Sequence, residues 1–172
     1  MPQFGMVCSA IARSCHDSNP EMKQKVSNFA SQLAQAHSER VGQFFKTTVE
    51  GLTVNLGHQH SKVRKVTLRG LQEVVCARNA EPFLNDSIPV LRQIMNDRSQ
   101  DVRINFYNVI KHWMTKMEIM SLRSYESHFI LFLLNGIADE NQDIAQGCVS
   151  FLEEHGKRMK EALQALGEED AN

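Results

Sequence analysis

His58-Gln-His60 sets two imidazoles one residue apart, a spacing at which both could reach a single metal ion. A protein metal site needs three or four ligands in defined geometry. No Cys or His stands at a matching short distance, and His16, His37, His112, His128 and His155 fall on separate elements. The pair therefore reads as part of a polar turn with a capping or inter-repeat role, and no metal is expected. Cys8, Cys15, Cys76 and Cys148 form no CxxC pair, which argues against a disulfide framework or a zinc knuckle and for plain thiols in a reducing compartment. There is no glycine-rich phosphate loop, nucleophile elbow or local catalytic signature. No catalytic residue, no cofactor and no small-molecule substrate are expected.

Charge gives a different kind of candidate. Lys and Arg number 19 against 20 Asp and Glu, a net charge of -1 over 172 residues. That balance lacks the broad positive field on which phosphate-backbone binding depends, so nucleic acid is not expected as a partner. The cations are nevertheless clustered. Arg64, Lys65, Arg69 and Arg78 are expected along one helix, and with Arg98, Arg103 and Lys111 they form a candidate basic ridge on the second helices. Lys65, Arg69, Arg98 and Lys111 are the members proposed to meet a partner; the plain alternative is a solvated face whose long side chains cover apolar stems. Phe106, Tyr107 and Trp113 resemble an aromatic box, yet Phe106, Val109, Ile110 and Trp113 have the spacing of a buried helical stripe. Ile104 and Tyr107 lie off that stripe and are expected against an adjacent repeat.

The elements that carry these residues follow from self-similarity. Asp17-Ser-Asn-Pro-Glu-Met22, His58-Gln-His-Ser-Lys-Val63, Asp97-Arg-Ser-Gln-Asp-Val102 and Asp139-Glu-Asn-Gln-Asp-Ile144 superimpose, each ending on an apolar anchor. The anchors are separated by 41, 39 and 42 residues. A period near 40 belongs to the HEAT and armadillo class of helical repeats rather than to the shorter tetratricopeptide or ankyrin units. Downstream of the anchors, Val63, Val66, Gly70, Leu71, Val74 and Val75, or Val102, Phe106, Val109, Ile110 and Trp113, recur at helical spacing; upstream, Leu84, Ile88, Leu91 and Met95, or Phe129, Phe132, Leu133 and Ile137, form a second stripe. Each unit is helix, tight turn, helix. No period-2 stretch bounded by turn residues indicates a strand.

The expected fold is an all-α solenoid of about four antiparallel helix pairs, in one domain over residues 1–166. Its units lie at about 4–36, 40–78, 82–117 and 122–155, followed by a terminal helix at 157–166 stopped by Gly167 and an acidic tail at 167–172. Asn19, Ser61, Ser99 and Asn141 are placed to cap the second helices, Pro20 to open one, and Pro89 to bend a first helix from within. No apolar run approaches the roughly 18 residues of a membrane span. Met1 to Ala12 lacks the pattern of a secretory signal, so a soluble, cytoplasmic protein is expected.

Pro89-Val-Leu-Arg-Gln-Ile-Met-Asn-Asp97-Arg-Ser-Gln-Asp-Val102-Arg103 resembles the HEAT motif of a proline, spaced leucine-type residues, an Asp, and Val-Arg five residues on. The resemblance implies a ladder in which Asp and Arg of neighbouring units pair, with Asp97, Arg103, Arg64 and Asp139 as its members. The second unit has His58 at the Asp position, the fourth has Ala145 at the Arg position, and the first has Met22-Lys23. It also implies that the second helices line the concave side, a common binding surface of solenoids.

Asp17 to Lys25, Asn28 to Gln35 and His58 to Lys65, continued by Asp97 to Arg103 and Asp139 to Ile144, are similar in order to the HEAT-repeat dynein axonemal assembly factors. The likeness runs from about Asp17 to Leu152. It implies a fragment or divergent short form of a cytoplasmic scaffold that assembles axonemal dynein arms for cilia, with dynein chains and assembly chaperones as partners and no catalytic residues. Other HEAT scaffolds, of the nuclear-transport receptor or phosphatase type, share the repeat, and a small all-α enzyme is the remaining alternative.

Overall fold

A computed structural model describes residues 2–38 and 45–169. Its elements are α1 (Pro2–Cys15), α2 (Pro20–Ala36), α3 (Lys46–Asn55), α4 (Ser61–Val75), a 3-10 segment (Glu81–Ser87) leading into α5 (Ile88–Ile94), α6 (Gln100–Lys116), α7 (Ile119–Gly136) and α8 (Gln142–Glu169). They make four helix pairs. No strand occurs among the described residues. The second helices form one continuous layer, α2 on α4, α4 on α6 and α6 on α8, while α1 packs on α3 and α3 on the 3-10 segment. This is an all-α solenoid.

The layers are held by the stripes that the periodicity marks. Val63, Leu71, Val74, Val102, Phe106, Val109, Ile110 and Trp113 are buried, with Phe129, Phe132 and Leu133 opposite them. Val66 is only half-buried; the α4 stripe instead runs through Thr67 and Leu68. Tyr107 is also buried, against the neighbouring repeat. A β-carbon added to Gly136 would stand 2.6 Å from both Cys148 Sγ and Tyr107 Cε1, so only hydrogen fits where α6, α7 and α8 converge. Gly70 serves the same end between α2 and α4, where a β-carbon would lie 2.9 Å from the Ser27 carbonyl oxygen.

Three boundaries depart from expectation. Pro89 does not bend a helix from within; it sits in the first turn of α5, where its missing N–H costs nothing, and the turn before it is 3-10. The segment 157–166 is no separate helix but the continuation of α8, which passes through Gly156 and Gly167 to Glu169. One glycine costs only about 1 kcal/mol in a helix interior, too little to end a long one. Residues 167–169 of the expected tail belong to this helix, and 170–172 lie outside the described residues, as does the expected start of the second unit at 40.

The caps also divide. Asn19 Oδ1 accepts the Glu21 N–H at 2.8 Å and Asn141 Oδ1 that of Ile144 at 3.0 Å. Ser61 is the first residue of α4, after His60, and neither Ser61 nor Ser99 makes a side-chain cap bond. The amides such caps would serve, on Val63 and Val102, bond instead to the carbonyls of His60 and Ser99, both at 3.0 Å.

Candidate interaction surface

Each turn between the helices of a unit is built from an acceptor two residues before an N–H. Asp17, Asp97 and Asp139 accept through Oδ1 from the amides of Asn19, Ser99 and Asn141 at 2.7, 2.8 and 2.9 Å. His58 does the same through Nδ1, accepting the His60 N–H at 3.1 Å. An unprotonated imidazole nitrogen thus replaces a carboxylate oxygen. Burial, helped by the charges of His60, Lys23 and Arg64, lowers the His58 pKa and keeps that nitrogen available.

The carboxylates of Asp97 and Asp139 also face the preceding unit. Arg64 donates to Asp97 through Nε (2.6 Å) and Nη2 (2.7 Å) and, through Nη1, to the carbonyls of His58 and Gln59. Arg103 donates to Asp139 at 2.8 and 3.1 Å, to Glu140 at 2.8 Å and to the Asp97 carbonyl at 2.9 Å. Each guanidinium clamps its own turn and the next unit together, in the bidentate fork that suits Arg better than Lys. Burial would raise the Asp139 pKa, but the hydrogen bonds from Arg103 and the Asn141 amide, with the Arg103 charge, lower it overall. Hydrogen bonding to Asp139 raises that of Arg103.

Sequence reasoning missed the first rung. Lys23, itself buried, donates to the Cys15 carbonyl at 2.6 Å and to Asn55 Oδ1 at 2.7 Å. Its place directly after an anchor was the available signal; nothing in sequence singled out Asn55. Other inter-repeat bonds carried no signal at all: Trp113 Nε1 to the Gln72 carbonyl, Tyr125 Oη to the Glu81 carbonyl, and Asn135 Nδ2 to Tyr107 Oη.

The basic ridge is not one surface. Arg64 and Arg103 are buried in the ladder. Arg78 lies beyond the end of α4, beside Glu81 and Lys116 in a cleft of about 440 Å³, and its N–H donates to the Ser38 carbonyl. Lys65 pairs with Asp101 at 2.9 Å and Arg69 with Asn105 Oδ1 at 3.0 Å, so both bridge α4 to α6 on the outer side of the second-helix layer. Arg98 sits on the turn edge in a groove of about 630 Å³ with Pro20, His60 and Lys62. Lys111 is half-buried against α8 near Gly147. Lys65, Arg69 and Lys111 share the helix layer; Arg98 belongs to the edge.

The thiols are poorly suited to chemistry. Burial pushes Cys8, Cys15 and Cys148 up to about 11, and burial followed by the Glu73 charge takes Cys76 to about 12. No group of three or more metal-ligating side chains occurs among the described residues. None of their helices is long and apolar enough to cross a membrane.

Residues 4–166 match the family described as "Dynein axonemal assembly factor 5-like, TPR repeats". The chain belongs to this family. Its match therefore spans all four helix pairs. Dynein axonemal assembly factor 5 of Xenopus laevis is 23% identical over 159 residues, which is 92% of this chain and 19% of that relative. The chain thus spans about a fifth of the length of the curated relative. The family description names tetratricopeptide repeats, whose period is about 34 residues; here the anchors recur at 39 to 42 and the Arg–Asp ladder is of the HEAT kind. Two engineered proteins of known crystal structure share the fold at 13% identity, with TM-scores of 0.64 and 0.62. They cover 84% and 87% of this chain, which overlays 60% and 37% of theirs.

Proposed function

We propose that this chain is a non-catalytic interaction scaffold in the cytoplasmic preassembly of axonemal dynein arms, holding dynein chains and assembly chaperones. The observation that carries the reading is the family match from residue 4 to residue 166, over a stack in which buried Lys23, Arg64 and Arg103 bond one repeat to the next. The solvent side of the second-helix layer, with Lys65, Arg69 and Lys111, is the proposed contact surface, extended at the turn edge by Arg98. Lys65 is half-buried and Arg69 exposed, with partners Asp101 exposed and Asn105 half-buried, and such surface bonds can be exchanged by a docking protein at little cost.

Affinity capture with the tagged chain from ciliated cells tests the proposal. Axonemal dynein chains and chaperones are expected in the eluate, reduced by the double substitution Lys65→Glu with Arg69→Glu at unchanged helicity. Recovery of Ran or a phosphatase catalytic subunit without any dynein chain would overturn the dynein assignment.

A further inference from the structure

Along the edge formed by the turns, the second unit breaks the charge pattern. Asp17, Asp97 and Asp139 give the other three turns a carboxylate, and His58 stands in that place here. No acidic residue occurs between Glu50 and Glu73, a stretch that includes Lys62, Arg64, Lys65 and Arg69. Arg64 is committed to Asp97 and Lys65 to Asp101. Lys62, and Arg98 of the following turn, are exposed and meet no acceptor among the described residues.

Both cations line the groove of about 630 Å³ at the turn edge. Pro20 and Gln24 of α2 border it on one side, His60 and Ser61 at the start of α4 lie in its middle, and Ser99 before α6 stands with Arg98 on the other side. No acidic side chain lines it among the described residues. The hydroxyls of Ser61 and Ser99 make no cap bond and add donors. Helix α4 begins here with neither a side-chain cap nor an acidic residue in its first turn, so the positive end of its dipole reinforces the cations. The groove crosses the first three units, and α4 at its centre already has α2 on one side and α6 on the other. Further repeats stacked on the first or fourth pair would lengthen this edge without occupying the groove.

We propose that this groove holds a short acidic segment of a partner protein, bound in extended form with carboxylates three residues apart. Lys62 and Arg98 stand on adjacent units, and packed helices lie about 8–10 Å apart. A polyproline II chain rises about 3.1 Å per residue with three residues per turn, which puts carboxylates three residues apart on one side at about 9 Å. Each then meets one cation. Exposed Asp17 and Glu21 on the first unit, and Glu140 and Asp143 on the fourth, bound the positive stretch along the edge. A long polyanion such as nucleic acid would run into these carboxylates, whereas a short acidic segment ends before them. The inference rests on the scaffold reading for its occupant being a protein, and it assigns the chemistry of that occupant at the edge where Arg98 stands.

Fluorescence anisotropy on the intact chain tests this with a short fluorescein-labelled Gly-Ser peptide bearing Glu at every third position, compared with the same peptide bearing Gln. The Glu peptide is expected to bind one to one and more weakly as salt rises, and the Gln peptide not to bind. Lys62→Glu with Arg98→Glu replaces two exposed side chains, and circular dichroism checks that helicity is kept. This variant is expected to lose roughly tenfold or more in affinity. His58→Asp, which supplies the turn carboxylate, is expected to weaken binding in the same direction. Arg123→Glu removes an exposed cation from α7, outside the groove, and is expected to leave the affinity unchanged. A Glu peptide bound no better than the Gln peptide, an affinity untouched by the double substitution, or an oligonucleotide of equal charge bound as tightly would each overturn the proposal. Dynein chains captured by a chain that ignores the peptide would overturn the groove assignment alone; a peptide bound through Lys62 and Arg98 by a chain that captures no dynein would overturn the dynein assignment and leave the groove standing.

Discussion

At the scale of the residue, similar charged side chains do unlike work according to burial. The side chains of Arg103 and Asp139 are 9% and 6% exposed and bonded twice to each other, whereas Asp101, which holds Lys65, is 69% exposed. Arg103→Ala leaves Asp139 buried without its counter-charge and is expected to lower unfolding stability by about 3–5 kcal/mol; Lys65→Ala is expected to cost less than about 1 kcal/mol. Urea denaturation of the two variants checks the contrast. His58 makes the other residue-scale prediction. Its pKa is lowered in the folded protein, so the unfolded chain binds its proton more readily. The stability this group contributes is present above its ordinary pKa, near 6.5, and is lost as pH falls through the lower folded value. His58→Asp keeps a turn acceptor of the kind used by Asp17, Asp97 and Asp139. The variant is expected to melt above the wild type at pH 5, with the advantage shrinking toward pH 8, in thermal scans followed by circular dichroism.

Among the elements, α8 is the anomaly. It runs 28 residues where α6 runs 17, and it carries Gly156 at an exposed helical position where a β-carbon would meet nothing within 4 Å. Gly156→Ala is therefore expected to stabilise the protein by about 0.5–1 kcal/mol through helix propensity alone, measured as a higher denaturation midpoint. Element identity was legible because the apolar stripes are local: Phe106, Val109, Ile110 and Trp113 announce α6 without reference to any other helix. Element ends were not. Pro89 has the same ring whether it bends a helix or opens one, and what separates the cases is the 3-10 segment before it. Ser99 has the composition of a cap, but a backbone carbonyl reached the Val102 amide instead.

Across the whole molecule, stability depends on a core that passes from pair to pair without interruption, as expected where each repeat buries its faces on its neighbours. Val102→Asp places an unpaired charge in the middle of that layer and is expected to cost several kcal/mol, read as a loss of the global unfolding transition rather than a local change. The sequence by itself determined the number of units, their period and the anchors Met22, Val63, Val102 and Ile144, because those features repeat along the chain and rest on the 3.6-residue period of a helix. Only the tertiary structure decided what each departure from the repeat does. Lys23 found Asn55 where no Asp was available, His58 took a carboxylate's place in a turn, and Ala145 left the fourth unit without a cation. It also separated Arg64 and Arg103, committed to the ladder, from Lys65 and Arg69 at the surface. Such partners lie 32 to 36 residues apart, and their pairing depends on how one helix pair rotates onto the next, a relation that no local spacing encodes.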